Sequence, residues 1–451
     1  MTLPIRRFDP PWRTHRRQAQ GRPIVSIAGI GKYTGQDVIV RGWLYNMRSS
    51  GKIHFLQLRD GSGVIQGVMA RSDVDEQTFE LAGTLTQESS VIAAGTVRED
   101  KRAPSGFELT LKSLRIVQLT RDYPITPKEH GPAFLMEHRH LWLRSSRQHA
   151  VLRIRDTIEQ AIHGYLHSQG FIHTPAPILT PTACEGTTTL FQTDYFGEPA
   201  YLSQSGQMYI EATAAAFGKV YTFTPAFRAE KSKTRRHLTE LWMVDAEASY
   251  FEHEENIQCQ EDLVCAIVAK VVDQRQAELK TLERDIKPLE AVRPPFHRIS
   301  YREAVARCNK AGVGIQYGED FGAPHDTAIA AAFDRPVFVD RFPAAIKSFY
   351  MQPDPQDPTV VLGSDLFATE GYGEIIGGSE RIHDLDLLLK KMEEYKIPYE
   401  PYRWYVDLRR YGSVPHSGFG MGIERTVSWI CGLQHIREAI PFARTLERIY
   451  P

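Results

Sequence analysis

Between Ile24 and Leu119 apolar and polar residues alternate in short runs: "VIVRGWL", "KIHFLQLRD", "GVIQGVMA", "SVIAAGTVRED" and "GFELTLKSLRIV". A period of two marks half-buried strands, and Gly- and Asp-bearing turns separate the runs, so an all-β, five-stranded closed barrel of the OB type is predicted over residues 24–120. In "HFLQL", Leu56 and Leu58 share one face and Phe55 and Gln57 the other; in "FELTLK", Leu109 and Leu111 oppose Glu108 and Lys112. With the leucines filling the barrel, Phe55, Glu108, Arg41 and Gln66 face outward. An exposed aromatic beside hydrogen-bonding groups offers a single-stranded base a stacking platform and edge contacts.

The pattern then changes. Residues 121–140 hold prolines and histidines with little periodicity and read as a hinge. Val151, Ile154, Ile158, Ile162, Tyr165 and Leu166 recur at helical spacing and stop at Gly170, a C-cap. The prolines of "FIHTPAPILTPTACEGTTTLF" exclude a long helix and suit an extended edge strand. Beyond it, strands such as "KVYTFTPAFRAE", "LWMVDAEASY" and "YGEIIGG" follow one another without regular helical crossovers, which predicts an antiparallel α+β domain over 141–451. Residues 1–23 carry Arg6, Arg7, Arg13, Arg16, Arg17 and Arg22 against Asp9 with no periodicity, a basic flexible arm.

Composition narrows the setting. The 451 residues carry Lys+Arg 54 against Asp+Glu 55, a net charge of -1, so a polyanion must be met by local clusters. The five cysteines lack any C-x-x-C spacing, which excludes a zinc site of that kind and a disulfide framework. No run reaches the ~20 apolar residues of a membrane span, and a cytoplasmic location is expected.

Local charge is concentrated in "AFRAEKSKTRRHLTELW". A strand over Lys219–Glu230 puts Arg228 and Glu230 on one face, and the hairpin tip Lys231, Lys233, Arg235, Arg236 and His237 is expected to close over a triphosphate. In "GFGMGIERTVSWICG" small residues permit close backbone approach, and Arg425 follows in the first turn of an amphipathic helix. Alone, each piece is what a solvated basic hairpin or a helix-packing glycine set would also give; together they point to one phosphate site.

These residues resemble a known family. "FRAE" followed by "RH" and "E", and "GFGMGIER", look like the second and third signature motifs of class II aminoacyl-tRNA synthetases, and "FIHTPAPILTP", ending at Pro177, is similar to the first. The order barrel, hinge, catalytic domain resembles the subgroup that charges aspartate, asparagine and lysine. "YLSQSGQMYIEA", "WMVDAEA" and "GYGEIIGGSERIHD" look most like its asparagine branch.

The resemblance implies ATP-dependent activation of asparagine and its transfer to tRNA, by positioning and charge neutralisation. Arg228 would hold the α-phosphate, His237 and Arg425 the outer phosphates, and Glu230 and Leu241 would lie at the adenine. Glu374, with Asp365, would bind Mg²⁺. Glu185, Gln204 and Gln207 would grip the α-amino group. Arg381 would read the side chain, Glu211 would accept from its amide, and Glu380 would lie beside the pocket. On the barrel, Phe55 would stack on an anticodon base, Gln66 and Glu108 would read its edge, and Arg41 would touch a neighbouring base or phosphate. Motif 1 implies a homodimer with Pro177 near the axis.

Ile210 stands where the aspartate branch has a lysine, so a neutral carboxamide fits better than an acid. Leu241, Glu380, Ala443 and Thr224 depart from the family's phenylalanine, glutamine, proline and glycine. Those departures keep two other readings open: a paralogue activating another asparagine-like amino acid or aspartate, and a weakly active tRNA-binding protein.

Overall fold

The computed structural model describes residues 21–103, 105–184 and 190–451. Most of the basic arm, and Glu185, lie outside the described residues. The chain divides into two compact units at His130/Gly131, inside the stretch read as a hinge. That stretch is not structureless, because short helices occupy Pro132–Glu137 and Arg139–Trp142.

The first unit is the expected barrel. Strands β1 (Asp37–Ser49), β2 (Ile53–Arg59), β3 (Val64–Ala70), β4 (Ser90–Glu99) and β5 (Phe107–Gln118) close in the order β1-β2-β3-β5-β4. Only β3–β5 is parallel. Leu56, Leu58, Leu109 and Leu111 all pack inside with Val38, Val40 and Leu44, as the alternation requires. Closure brings β1 and β4 against neighbouring backbone where no side chain is tolerated: a Cβ on Gly42 would lie 2.0 Å from the Arg59 carbonyl oxygen, and one on Gly95 2.1 Å from that of Thr110.

The second unit is built on an eight-stranded sheet. Its strands are β6 (Ile172–His173), β10 (Lys219–Phe227), β11 (Glu240–Ser249), β12 (His297–Ser300), β13 (Val337–Asp340), β14 (Gly363–Ala368), β15 (Gly373–Glu380) and β16 (His416–Gly422), in the order β12-β13-β14-β15-β16-β11-β10-β6. Every pairing between β13 and β10 is antiparallel; only the two ends, β12–β13 and β10–β6, are parallel. A small sheet pairs β7 (Leu179–Thr180) and β8 (Gln192–Tyr195) with β9 (Glu198–Leu202).

One face of the large sheet carries the core. Val244, Ala246 and Ala248 of β11 and Phe419 and Met421 of β16 pack on apolar residues of the helices Ser146–Ser168, His253–Gln274 and Ile423–Cys431. By alternation the other face is left for polar side chains. Among the described residues no helix is long and apolar enough to cross a membrane.

Candidate active site

Strand β11 builds the floor of the site. Its core-facing residues alternate with Leu241, Met243, Asp245 and Glu247, which share the open face of the sheet. The neighbouring strand β16 is glycine at the facing positions, Gly418 opposite Glu247 and Gly420 opposite Asp245. A Cβ at Gly418 would fall 2.0 Å from Glu247 Oε2, and one at Gly420 2.9 Å from Asp245 Oδ1. The close approach expected of "GFGMG" is therefore made by carboxylates laid across the strand.

Each carboxylate is committed. Asp245 accepts from Ser205 Oγ (2.9 Å) and Gly206 N (2.8 Å), fixing the turn that carries Gln204 and Gln207. Glu247 accepts from Arg381 Nη2 (3.0 Å) and Nε (3.2 Å), both side chains fully buried. Arg381 Nη1 also donates to Ser379 Oγ at 2.7 Å, and the guanidinium faces the Tyr350 ring. Glu211, on the helix Gln207–Phe217, accepts from Arg409 Nη2 (2.7 Å), Tyr405 Oη (3.0 Å) and Gln207 Nε2 (3.2 Å), and His416 Nε2 lies 3.2 Å away. Both oxygens are so engaged, and the Gln207 amide continues the chain, its Oε1 accepting from Tyr350 Oη at 3.3 Å.

The charges balance inside this cluster, Arg381 and Arg409 against Glu211 and Glu247. Burial raises the Glu211 carboxyl, yet Arg409 and His416 outweigh it and hold it below the usual carboxylate range. Burial pushes the Glu247 carboxyl up despite Arg381, with the like charge of Glu211 adding to the rise. Glu211, Glu247 and His416 have the spacing of a metal site. Two guanidiniums already occupy those carboxylate oxygens, so a cation there would be repelled.

A second group assembles along the sheet. β10 ends at Phe227, so Arg228 and Glu230 lie just past the strand rather than on it. The Arg228 amide still pairs with Thr239 O (2.9 Å), and its Nη2 lies 3.8 Å from Met243 Sδ on the open face. Arg425 donates through Nη1 to Glu374 O at 2.9 Å and lies 3.5 Å from Glu374 Oε2. Partial burial and the charge of Arg425 lower the His237 pKa, keeping the ring neutral at neutral pH. Glu374 and Asp365 converge over Gly377, whose missing Cβ would lie 3.2 Å from Glu374 Oε1 and 3.4 Å from Asp365 Oδ1. Burial pushes the Asp365 carboxyl up to about 7; Lys347, 2.7 Å away, opposes this and the negative charge of Glu374 adds to it.

Several sequence expectations are corrected. Glu380 is turned away from Arg381: it accepts from His253 N (3.2 Å) at the start of the helix His253–Gln274, because alternation along β15 sends it to the opposite face from Ser379. Of the hairpin-tip cations, Arg236 is turned to Asp326 at 3.2 Å in a sheltered pair, and Lys233 meets Glu447 at 2.5 Å in an exposed one. Leu241 stays on the open face and packs against the cluster that holds Leu238, Ile436 and Ala443, so two departures from the family pattern meet in one place. Ile210 packs with Ala214 and Val220. Sequence reading missed Glu247, Arg409 and His416. The period-two register of "LWMVDAEASY" against the glycines of β16 is the signal that would have found Glu247.

On the barrel, the register sets Gln66 between Gln57 and Glu108, with Phe55 one pair along, giving a continuous outward patch. The Arg48 guanidinium covers Phe55, 4.6 Å from the ring centroid. Arg41 pairs instead with Ile92 at the far end of β1, so Arg48 is the cation beside Phe55, while Arg98 of β4 lies opposite Glu108.

Comparison with known proteins decides the family. The model for "tRNA synthetases class II (D, K and N)" matches residues 132–446, and an "OB-fold nucleic acid binding domain" matches 38–117. The chain belongs to the class II tRNA synthetases. As such it is an enzyme that uses ATP. Among relatives, the asparagine–tRNA ligase of Pelotomaculum thermopropionicum is 57% identical over 427 residues, 95% of this chain and 99% of that one. The asparagine–tRNA ligase of Thermus thermophilus is 57% identical over 436 residues, 95% and 100%. The crystal structure of asparaginyl-tRNA synthetase from Pyrococcus horikoshii complexed with asparaginyl-adenylate superposes with a TM-score of 0.92 at 43% identity, covering 95% of this synthetase and 99% of that chain. An aspartyl tRNA synthetase from Entamoeba histolytica gives a TM-score of 0.83 at 26% identity, covering 100% and 96%. The fold is thus shared with both branches.

Proposed function

We propose that this synthetase activates L-asparagine to asparaginyl-adenylate and transfers it to its tRNA. The observation that carries the reading is the buried Arg381–Glu247 pair. Part of the guanidinium is spent on Glu247, so the pair offers a donor edge from the remaining N–H groups beside an acceptor edge from the carboxylate. A carboxamide presents the complement, a carbonyl and an NH₂. An aspartate carboxylate would meet the negative charge of Glu247 instead. The relatives named above as asparagine–tRNA ligases support the choice.

In this reading Gln207, held by Glu211 and Tyr350, and Gln204 orient the amino acid, and Glu185 belongs with them by motif. The carboxylate of asparagine attacks the α-phosphate of ATP, pyrophosphate leaves, and the acyl group passes to the terminal ribose of tRNA. The chain supplies no nucleophile. Arg228 steadies the α-phosphate, Arg425 and the neutral His237 the outer phosphates, and Glu230 and Leu241 border the adenine. Glu374 and Asp365 fit a Mg²⁺ ion: Glu374 Oε1 and Asp365 Oδ1 meet over a residue with no side chain, Lys347 takes only the other Asp365 oxygen, and burial, with the charge of Glu374 adding to it, raises the Asp365 carboxyl. Bound there, the ion would neutralise phosphate charge. The outward patch of Phe55, Gln66, Glu108 and Arg48 would read a single-stranded anticodon base.

We assign a homodimer through the edge strand β6 and the segment around Pro177 that leads to β7, where Ile172, Ile178 and Leu179 are each more than 40% exposed. Cys259, Cys265, Cys308 and Cys431 are free thiols, which suits the reducing cytoplasm. The test is ATP–pyrophosphate exchange with a panel of amino acids: asparagine is expected to support it and aspartate far less. Exchange with another amino acid alone identifies a paralogue, and tRNA binding without any exchange a binding protein; either result overturns the proposal.

A further inference from the structure

Arg236 was expected to reach for a triphosphate, and its contacts lead elsewhere. Its Nη1 donates to Asp326 Oδ2 (3.2 Å) and Ala323 O (3.4 Å), and its Nη2 to Thr327 Oγ1 (3.0 Å) and Gly371 O. Asp326 and Thr327 sit on the helix Ala323–Ala330, and Gly371 in the turn before β15. One guanidinium thus ties the return arm of the basic hairpin to two separate elements. The ion pair is sheltered, with side chains 26% and 16% exposed.

The turn is shaped around this contact. At Gly373, with φ +82°, a Cβ would lie 2.7 Å from Asp326 Oδ2 and 3.0 Å from Arg236 Nη1. Glycine there lets the backbone adopt a left-handed conformation and lets the ion pair press against it. Its successor is Glu374, whose carbonyl holds Arg425. Arg236 is itself followed by His237. The ion pair therefore stands one residue from His237 on one side and one residue from Glu374 on the other.

We infer that Arg236 is a positioning residue for ATP: clamped on Asp326, it sets the distance between His237 on the hairpin and the Glu374–Arg425 pair on the sheet. This rests on the ATP site proposed above. Two consequences distinguish it from direct phosphate contact. The loss must follow the pair rather than the arginine alone, so Asp326→Asn must reproduce the defect of Arg236→Ala. It must also fall on ATP and spare asparagine, whose pocket is built from other elements.

The test is steady-state pyrophosphate exchange with Arg236→Ala, Arg236→Lys, Asp326→Asn and the charge-swapped Arg236→Asp/Asp326→Arg, each checked for folding by circular dichroism. Misplacing one wall of the site is expected to lower kcat/KM for ATP on the order of ten- to a hundredfold in Arg236→Ala and in Asp326→Asn. Arg236→Lys, which keeps the charge and loses the fork, should fall between these and the parent, and the charge swap, which turns a carboxylate toward the Ala323 and Gly371 carbonyls, should do no better than the single variants. KM for asparagine should stay within about twofold throughout. A harmless Asp326→Asn beside a damaged Arg236→Ala, or a KM for asparagine raised as much as that for ATP, overturns the inference. Arg228→Ala is run in parallel: if it too leaves exchange intact, the ATP-site reading has failed, and if it alone is inactive, only the clamp has.

Discussion

Glu247 is two residues from Asp245 on the same strand face, and the two do different work. Asp245 braces a turn through Ser205 and Gly206, whereas Glu247 meets Arg381 where a substrate side chain would lie. Glu247→Gln keeps the shape and removes the charge that opposes an acid. Discrimination of asparagine over aspartate, measured as the ratio of kcat/KM values in pyrophosphate exchange, is expected to fall by roughly ten- to a hundredfold. An unchanged ratio would take the acceptor role from Glu247. Arg228→Ala and Arg425→Ala address the other end of the site. On the proposed reading each removes a cation aimed at developing phosphate charge, and a loss in kcat of about a hundred- to a thousandfold is expected without loss of the fold.

At the scale of elements, the sheet and its covering helix are joined by Asp340 at the end of β13. It meets His253 Nε2 at 2.8 Å, Arg298 Nη2 at 2.6 Å and Arg341 Nη1 at 2.6 Å, linking the helix His253–Gln274 to β12. Burial raises its carboxyl, but His253 and Arg298 prevail and bring it from the ordinary 3.8 down to about 2. A folded pKa below the unfolded one means that the ionised carboxylate stabilises the fold above pH 3.8, and that this share is lost as the pH falls through about 2. The shift corresponds to about 2 kcal/mol. Urea unfolding of the parent and of Asp340→Asn should differ at neutral pH and converge between about pH 4 and 2. A gap that persists unchanged at pH 2 would mean that the side chain acts by packing.

On the scale of the whole molecule, the barrel is a compact unit with its own core. Phe55→Ala should therefore cost about 1 to 3 kcal/mol in tRNA-dependent charging, the worth of a base–aromatic stack, while amino acid activation without tRNA stays as it was. Equal losses in both assays would make Phe55 a folding residue. Light scattering at micromolar concentration should give twice the 51.2 kDa chain mass, and Ile172→Asp, on the exposed edge strand, should shift the mass toward the monomer. A parent that runs as a monomer removes the dimer assignment.

The sequence by itself determined what depends on neighbours along the chain. Period-two runs specified the barrel strands and which leucines fill it, helical spacing located the helix Ser146–Ser168, and local motifs brought forward Arg228, His237, Glu374, Arg381 and Arg425. Tertiary structure decided whatever depends on register and on partners far apart. The pairing of β11 with β16 put Glu247 over Gly418, alternation along β15 took Glu380 to the other face, and the β1 register set Arg48 rather than Arg41 opposite Phe55. Arg236 met Asp326 across 90 residues. A charge pattern says that cations are present in a hairpin. Which of them face a ligand and which are spent on the protein's own carboxylates follows only when strands are paired, because a shift of one residue reverses every side chain.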